Sequence, residues 1–271
     1  MYQSLVDDLR AQRLILFLGS GISKNLGLPT WGELLDEMAN QLDFDPTIFS
    51  NHGSFLELAE YYEIEKKSLG PLRSWMDRTW HKDEKIVDTS RIHNAILNLN
   101  VPIIYTTNYD RWLEIAYDRK KINYKKVANV GDIANITNAV PQIVKFHGDF
   151  DDDRSLVLTE KSYFDRLSFE SPLDIKLRSD SIGKAILFLG YSLSDINIRY
   201  LLYKLYKLWV DSDHLADRPQ SFIFLTRPNP IQEAILLRRG IQAIVSDVDD
   251  PEAGVASFLE RLVHDAYGKT S

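Results

Sequence analysis

The chain has 271 residues, with 39 acidic against 32 basic side chains and a formal net charge of -7. That balance excludes a fold-wide basic footprint for nucleic acid, and a composition 44% hydrophobic and 26% charged excludes disordered and fibrous classes. There is no cysteine, which removes disulfides, a thiol nucleophile and every cysteine zinc site.

Residues 1–13 contain Asp7 and Asp8 and lack the basic-then-apolar order of a signal peptide. No apolar run approaches the roughly 20 residues of a membrane span, so a cytoplasmic protein without membrane contact is expected. Residues 13–18 read as a first buried strand. Thr30, with Glu33 three residues later, is a capping-box pattern that starts a helix over 30–42. The stretch 28–99 is rich in aromatic residues and punctuated by Gly70-Pro71, and it is expected to form a helical lobe ending in helical period over 88–99. A second strand over 101–107 leads into a helix over 108–119, and a third strand covers 142–146. The acidic run Asp151-Asp152-Asp153 opens the gap 149–183 and reads as a solvated turn, with a metal site as the lesser alternative. A strand at 185–189, a helix at 194–209, strands at 221–225 and 241–245 and a helix at 251–267 complete the chain. Such alternation predicts an α/β class with a parallel sheet covered by helices on both faces. The echo of Leu16-Phe17-Leu18-Gly19 in Leu187-Phe188-Leu189-Gly190 is composition that buried parallel strands share.

Four strand ends carry the chemistry. The first strand ends in Gly19-Ser20-Gly21-Ile22-Ser23, where glycines permit a sharp turn and free amides suit a diphosphate, although a turn serving packing alone reads the same way. Its G-x-G-x5-G spacing is not the common dinucleotide fingerprint. The second strand ends in Thr107-Asn108-Tyr109-Asp110, a site amide and carboxylate or simply a helix cap. The third ends in Phe146-His147-Gly148-Asp149, where His147 is either a site residue or a satisfied core histidine. The fourth ends in Gly190-Tyr191-Ser192-Leu193-Ser194-Asp195. Four ends of matching character on one rim are more specific than any one of them.

In this order GSGIS, TTNYD, FHGD and LGYSLSD resemble the landmarks of the sirtuin (SIR2) catalytic domain, and more closely the SIR2-like NADase domains of bacterial antiphage systems. The resemblance spans roughly residues 13–225. It implies a Rossmann-like fold with a helical small lobe, read as one domain over 1–271 whose large lobe is about 1–30 and 99–271 and whose inserted helical lobe is about 31–98. It implies NAD+ as substrate, with Asn108 and His147 catalytic. Gly19, Ser20, Gly21 and Ser23 would cradle the diphosphate and nearby ribose, and Asp110 would lie near the nicotinamide ribose. Gly190 and Ser192 would form the later nucleotide-binding loop, with Thr107, Tyr191 and Asp195 beside them and Thr226 toward the adenosine half. Deacetylating sirtuins carry a four-cysteine zinc module where residues 149–184 here hold no cysteine, so no zinc module and no metal are expected.

The reaction this implies is cleavage of the nicotinamide–ribose bond by water, with NAD+ depletion serving antiphage defence. Two rivals use the same site: a non-catalytic NAD+/ADP-ribose-binding regulatory module, and an ADP-ribosyl transferase or cyclase. The resemblance further implies a homo-oligomer controlled by a sensing partner such as a HerA-like ATPase, with that partner rather than this chain touching DNA. The aromatic-rich lobe from Trp31 to Trp80 and the stripe Leu201, Leu202, Leu205, Leu208 and Trp209 are candidate contacts, with a core-facing role as the alternative.

Overall fold

The computed structural model describes residues 2–137, 139–191 and 196–268. Seven parallel strands form one sheet: β1 (Leu14–Leu18), β2 (Ile103–Thr106), β3 (Lys125–Val127), β4 (Gln142–Lys145), β5 (Ala185–Leu189), β6 (Ser221–Leu225) and β7 (Ile241–Val245), in the order β3-β4-β2-β1-β5-β6-β7. The helices among the described residues are α1 (Tyr2–Arg10), α2 (Trp31–Gln41), α3 (Pro46–Phe49), α4 (Phe55–Lys66), α5 (Gly70–Trp80), α6 (Arg91–Leu99), α7 (Trp112–Arg119), α8 (Val130–Ala134), α9 (Glu160–Leu167), α10 (Pro172–Ser181), α11 (Ile196–Val210), α12 (Pro230–Arg238) and α13 (Pro251–Tyr267). This is the Rossmann-like α/β architecture expected from the alternation and the resemblance.

The central strands are apolar along their whole length because both faces are covered. Leu14, Leu16 and Leu18 of β1 face a core built with α1, α6, α7 and α13, while Ile15 and Phe17 face one built with α10, α11 and α12. Alternate residues thus serve opposite faces, as a pleated strand requires. Leu201 and Leu202 of the apolar stripe are buried in the second core, where they are unavailable to a partner.

Helices α2 to α5 share a third core, Leu34, Met38, Phe49, Leu58, Tyr62, Leu72 and Met76 among its members. Tyr109, Phe150, Leu156 and Leu158 from the sheet's carboxyl rim join it, so this lobe sits against the rim. Thr30 caps α2 as its spacing predicts: its hydroxyl accepts from the Glu33 amide at 3.2 Å, and its own amide donates to Glu33 Oε2 at 2.6 Å. Helix α6 falls within the range expected for the lobe, yet Ile92, Ala95, Ile96 and Leu99 lie in the core against the sheet.

Strand register aligns the carboxyl ends. Leu18 pairs with Thr106 and with Leu189, and Thr106 pairs with Lys145. From β1 the chain moves to β2 on one side, and after β4 it crosses to β5 on the other. The crevice beyond β1 and β5 is therefore the topological switch point where such sheets bind ligands. No helix among the described residues is long and apolar enough to cross a membrane.

Candidate active site

Two loops meet at the switch point. The Gly19 amide donates to Leu189 O at 2.9 Å and the Gly21 amide to Gly190 O at 3.0 Å. These amides, expected to be free for a diphosphate, are taken up by the backbone at the end of β5. A Cβ on Gly19 would fall 2.7 Å from Gly190 O, and one on Gly190 (φ 73°) would fall 2.9 Å from Gly19 O. The glycines therefore serve a backbone-on-backbone approach that no side chain permits. Ser20 and Gly21 remain exposed at the surface of this turn, while Ser23 is buried.

The end of β2 is tied into the same junction. Asn108 Nδ2 donates to Gly19 O at 3.1 Å, and its amide donates to Thr106 Oγ1 at 3.0 Å. The Thr107 amide donates to Leu18 O, and its hydroxyl meets the Tyr191 hydroxyl at 3.0 Å. Tyr191 also donates to Leu18 O at 2.8 Å, and its ring lies over Gly19. Gly19, Thr107, Asn108, Gly190 and Tyr191 thus converge. Ser192 and Asp195 lie outside the described residues.

Asp110 sits one layer deeper. It is 4% exposed, and Oδ1 accepts from the Trp112 amide at 3.0 Å and from Ser23 Oγ at 3.3 Å. Asp110 therefore holds the first amide of α7 from just before the N-cap residue Arg111, and it also joins the loop after β1. Burial pushes its carboxyl up to about 6, against the pull of Lys145.

His147 opens on a shallow cleft whose lining includes Thr107, Phe146, Tyr163, Arg166 and Tyr200. Its ring stacks near Phe146 and meets Tyr163 edge-on, both at 5.8 Å. Loss of solvent, and then the nearby Arg166 guanidinium, lowers the imidazole to about 3, so it is neutral at physiological pH. The next residue is constrained to be glycine: Gly148 has φ 100°, and a Cβ there would lie 2.2 Å from Ser155 O. Thr107 belongs to both the glycine junction and the His147 cleft, and it makes them one continuous site.

Three contributors went unread in the sequence. Arg166 lies 4.3 Å over the Phe146 ring, donates to Ser171 Oγ and pairs with Asp174 at 2.8 Å. Lys145 and Glu114 form a buried ion pair at 3.1 Å beneath the rim. A charged residue ending the apolar strand before His147 was the available signal for Lys145. The acidic run also departs from a simple solvated turn. Arg73 of α5 pairs with Asp153 at 2.6 Å, and Arg111 pairs with Asp151 at 3.1 Å and Asp77 at 3.5 Å. Lys126 adds contacts to Asp149 and Asp151, so the run clasps the helical lobe to the rim.

The zinc module of deacetylating sirtuins does not fit this donor set. The chain has no cysteine, and the described residues contain no cluster of three His, Asp or Glu able to hold a metal.

A family model described as a SIR2-like domain matches residues 102–244. The chain is 29% identical over 277 residues to defense-associated sirtuin 2 of Bacillus subtilis, covering 96% of this chain and 25% of that protein. It is 30% identical over 191 residues to the NAD(+) hydrolase ThsA of Enterococcus faecium, covering 69% of this chain and 38% of that protein. The chain thus spans between a quarter and two fifths of the length of these curated relatives. Among solved structures, a Sir2 homolog–NAD complex aligns with a TM-score of 0.48 at 12% identity, over 99% of this chain and 95% of that one.

Proposed function

This chain belongs to the SIR2-like domain family, and from that premise we propose that it is an NAD+ hydrolase. Water replaces nicotinamide at the ribose anomeric carbon, and nicotinamide, ADP-ribose and a proton are released. Two of the relatives carry names that point to this activity and to defence. The observation that carries the reading is Thr107, whose hydroxyl stands in the glycine junction while its side lines the His147 cleft. A dinucleotide laid across that junction would place its reacting ribose within reach of residues from β2 and β4.

The roles follow from charge. Nicotinamide departs as a neutral base from a cationic precursor, so bond breaking needs no strong general acid, and the ribose becomes oxocarbenium-like. Asn108, anchored on Gly19 O, orients the attacking water or the nicotinamide amide. Neutral His147 accepts a hydrogen bond from that water or from a ribose hydroxyl and orients it, and the proton leaves to solvent. Asp110 supplies negative charge beneath the developing cation. Gly19, Gly21, Ser23 and Gly190 shape the junction on which Ser20, Thr107 and Tyr191, with Ser192 and Asp195, hold the nucleotide, and the helical lobe of α2 to α5 stands beside it. The roles assigned to these residues require no metal.

In this reading the protein is a cytoplasmic effector of antiphage defence that self-associates and is switched by a sensing partner such as a HerA-like ATPase. The direct test is incubation of purified protein with NAD+, with and without such a partner, followed by quantification of nicotinamide and ADP-ribose. Equimolar release supports the hydrolase. Saturable binding with no product refutes it in favour of a regulatory module, and transfer to a side chain or a cyclic product refutes water as acceptor.

A further inference from the structure

Beneath the rim, on the α7 face of the sheet, lies a buried charge with no role in the chemistry described above. Lys145, the last residue of β4, is 0% exposed. Its Nζ donates to Asp110 O at 2.6 Å and to Tyr109 O at 3.5 Å, and it pairs with Glu114 in the first turn of α7. An interior ammonium is costly unless it is paired and hydrogen-bonded, and an apolar side chain of similar volume would fill the space without that cost. What an apolar chain lacks is a grip on backbone carbonyls. Here the gripped carbonyls are consecutive, at the turn from β2 into α7, directly after Asn108.

The geometry links two strands. His147 follows Lys145 by two residues on the same chain segment, while Asn108 belongs to the segment that Lys145 holds. Other contacts fix that segment at its edges: Asn108 on Gly19 O, and the Tyr109 hydroxyl on Val157 O at 2.5 Å. The ladder ties the strand end to β4 through the Phe146 amide on Thr106 O at 2.7 Å, and Lys145 extends that tie to the two residues after Asn108.

We propose that Lys145, held by Glu114, is a positioning residue that pins the Tyr109–Asp110 backbone and so fixes Asn108 relative to His147. The proposal rests on the hydrolase reading of the same site. A displacement of reacting groups by about 1 Å lowers turnover by up to about a hundredfold, so the effect belongs in kcat.

The test uses the double variant Lys145→Met/Glu114→Leu, which removes both charges and strands neither, and Glu114→Gln, which keeps the native volume. NAD+ turnover and the crystal structure of each folded variant are the readouts. In the double variant kcat should fall about tenfold or more while KM moves by less than about threefold, as expected when positioning rather than binding is lost. The Asn108 Nδ2–Gly19 O contact should be broken in the same variant. Glu114→Gln should lower kcat in the same direction by a smaller factor. Should the double variant not fold, the kcat and structure of Glu114→Gln decide. An intact contact, or parental kcat with the contact broken, overturns the proposal. If the parent itself destroys no NAD+, the hydrolase reading fails, and the contact alone decides whether Lys145 holds Asn108.

Discussion

Replacing Asp110 by asparagine should make the protein more stable at neutral pH while lowering its turnover of NAD+. The carboxyl is 4% exposed, and burial raises it from 3.8 to about 6. Because the folded-state value is the higher one, the folded protein holds the extra proton. Stability from this group is fully present below pH 3.8 and is lost as pH rises through about 6. A difference of about 2 units costs about 3 kcal/mol at pH 7.5. Asparagine keeps an Oδ1 acceptor for the Trp112 amide and Ser23 Oγ, although uncharged bonds are weaker, by about 1 kcal/mol here. The net gain is about 2 kcal/mol, or about 4 °C in a chain of this length. Thermal melts of parent and Asp110→Asn at several pH values between about 4 and 7.5 are the assay. The stabilisation should vanish at the acid end and grow to its full value above pH 6. A shift that is flat with pH, or a variant less stable than the parent at pH 7.5, would show that Asp110 is not held ionised at a cost.

Asn108→Ala and His147→Ala should each abolish NAD+ loss while moving stability by less than the roughly 2–5 kcal/mol of an emptied core, and a normally melting variant with parental turnover removes that residue from catalysis. Gly190→Ala should destabilise the protein by about 2 kcal/mol or more, since φ 73° and the close approach to Gly19 O both oppose a methyl group, and an unchanged melting temperature contradicts the backbone junction. Burial lowers His81 and His93 to about 4 and His147 to about 3. These groups are neutral when folded and charged when unfolded near pH 5.5, so unfolding takes up protons and stability falls as pH drops below about 6.5. Asp110 releases most of one proton over the same window, and the four groups together give a net uptake of about two protons, measurable by calorimetry in buffers of different ionisation enthalpy. Net release at that pH contradicts these assignments.

Which parts of this protein the sequence disclosed depended on how far apart the partners lie. Six of the seven strands are apolar runs that are legible because both faces are buried, whereas β3 is three residues long, begins Lys125-Lys126 and forms the sheet edge. Helix α1 shows its apolar face only through Leu5, Val6 and Leu9, and α10 and α12 are marked in the sequence chiefly by Ser171 and Asn229, whose side chains cap them. At the site, the glycines and the polar residues at strand ends stood out because the switch point makes strand ends informative. Pairings did not: Arg73 finds Asp153 across 80 positions, and Lys145 finds Glu114 only because β4 lies beside β2. Arg166 reaches Phe146 from α9, whose local signal is the capping box of Thr159 and Ser162 and says nothing of that contact.

The distribution of charge around the rim matters more to the proposed reaction than any single proton transfer. The substrate brings its positive charge on the nicotinamide ring, and bond breaking moves that charge onto the ribose. A protonated imidazole at His147 would oppose the substrate before the bond breaks and the ribose afterwards. Burial among Phe146 and Tyr163 prevents this by holding His147 neutral, and Arg166, the cation that assists, has its own charge offset by Asp174 at 2.8 Å. Lys145 is offset in the same manner by Glu114, on the opposite face of the sheet. The cations near the rim are thus individually countered, and Asp110 remains as a carboxylate whose ionised form costs stability. A cost of that kind is retained where developing positive charge repays it.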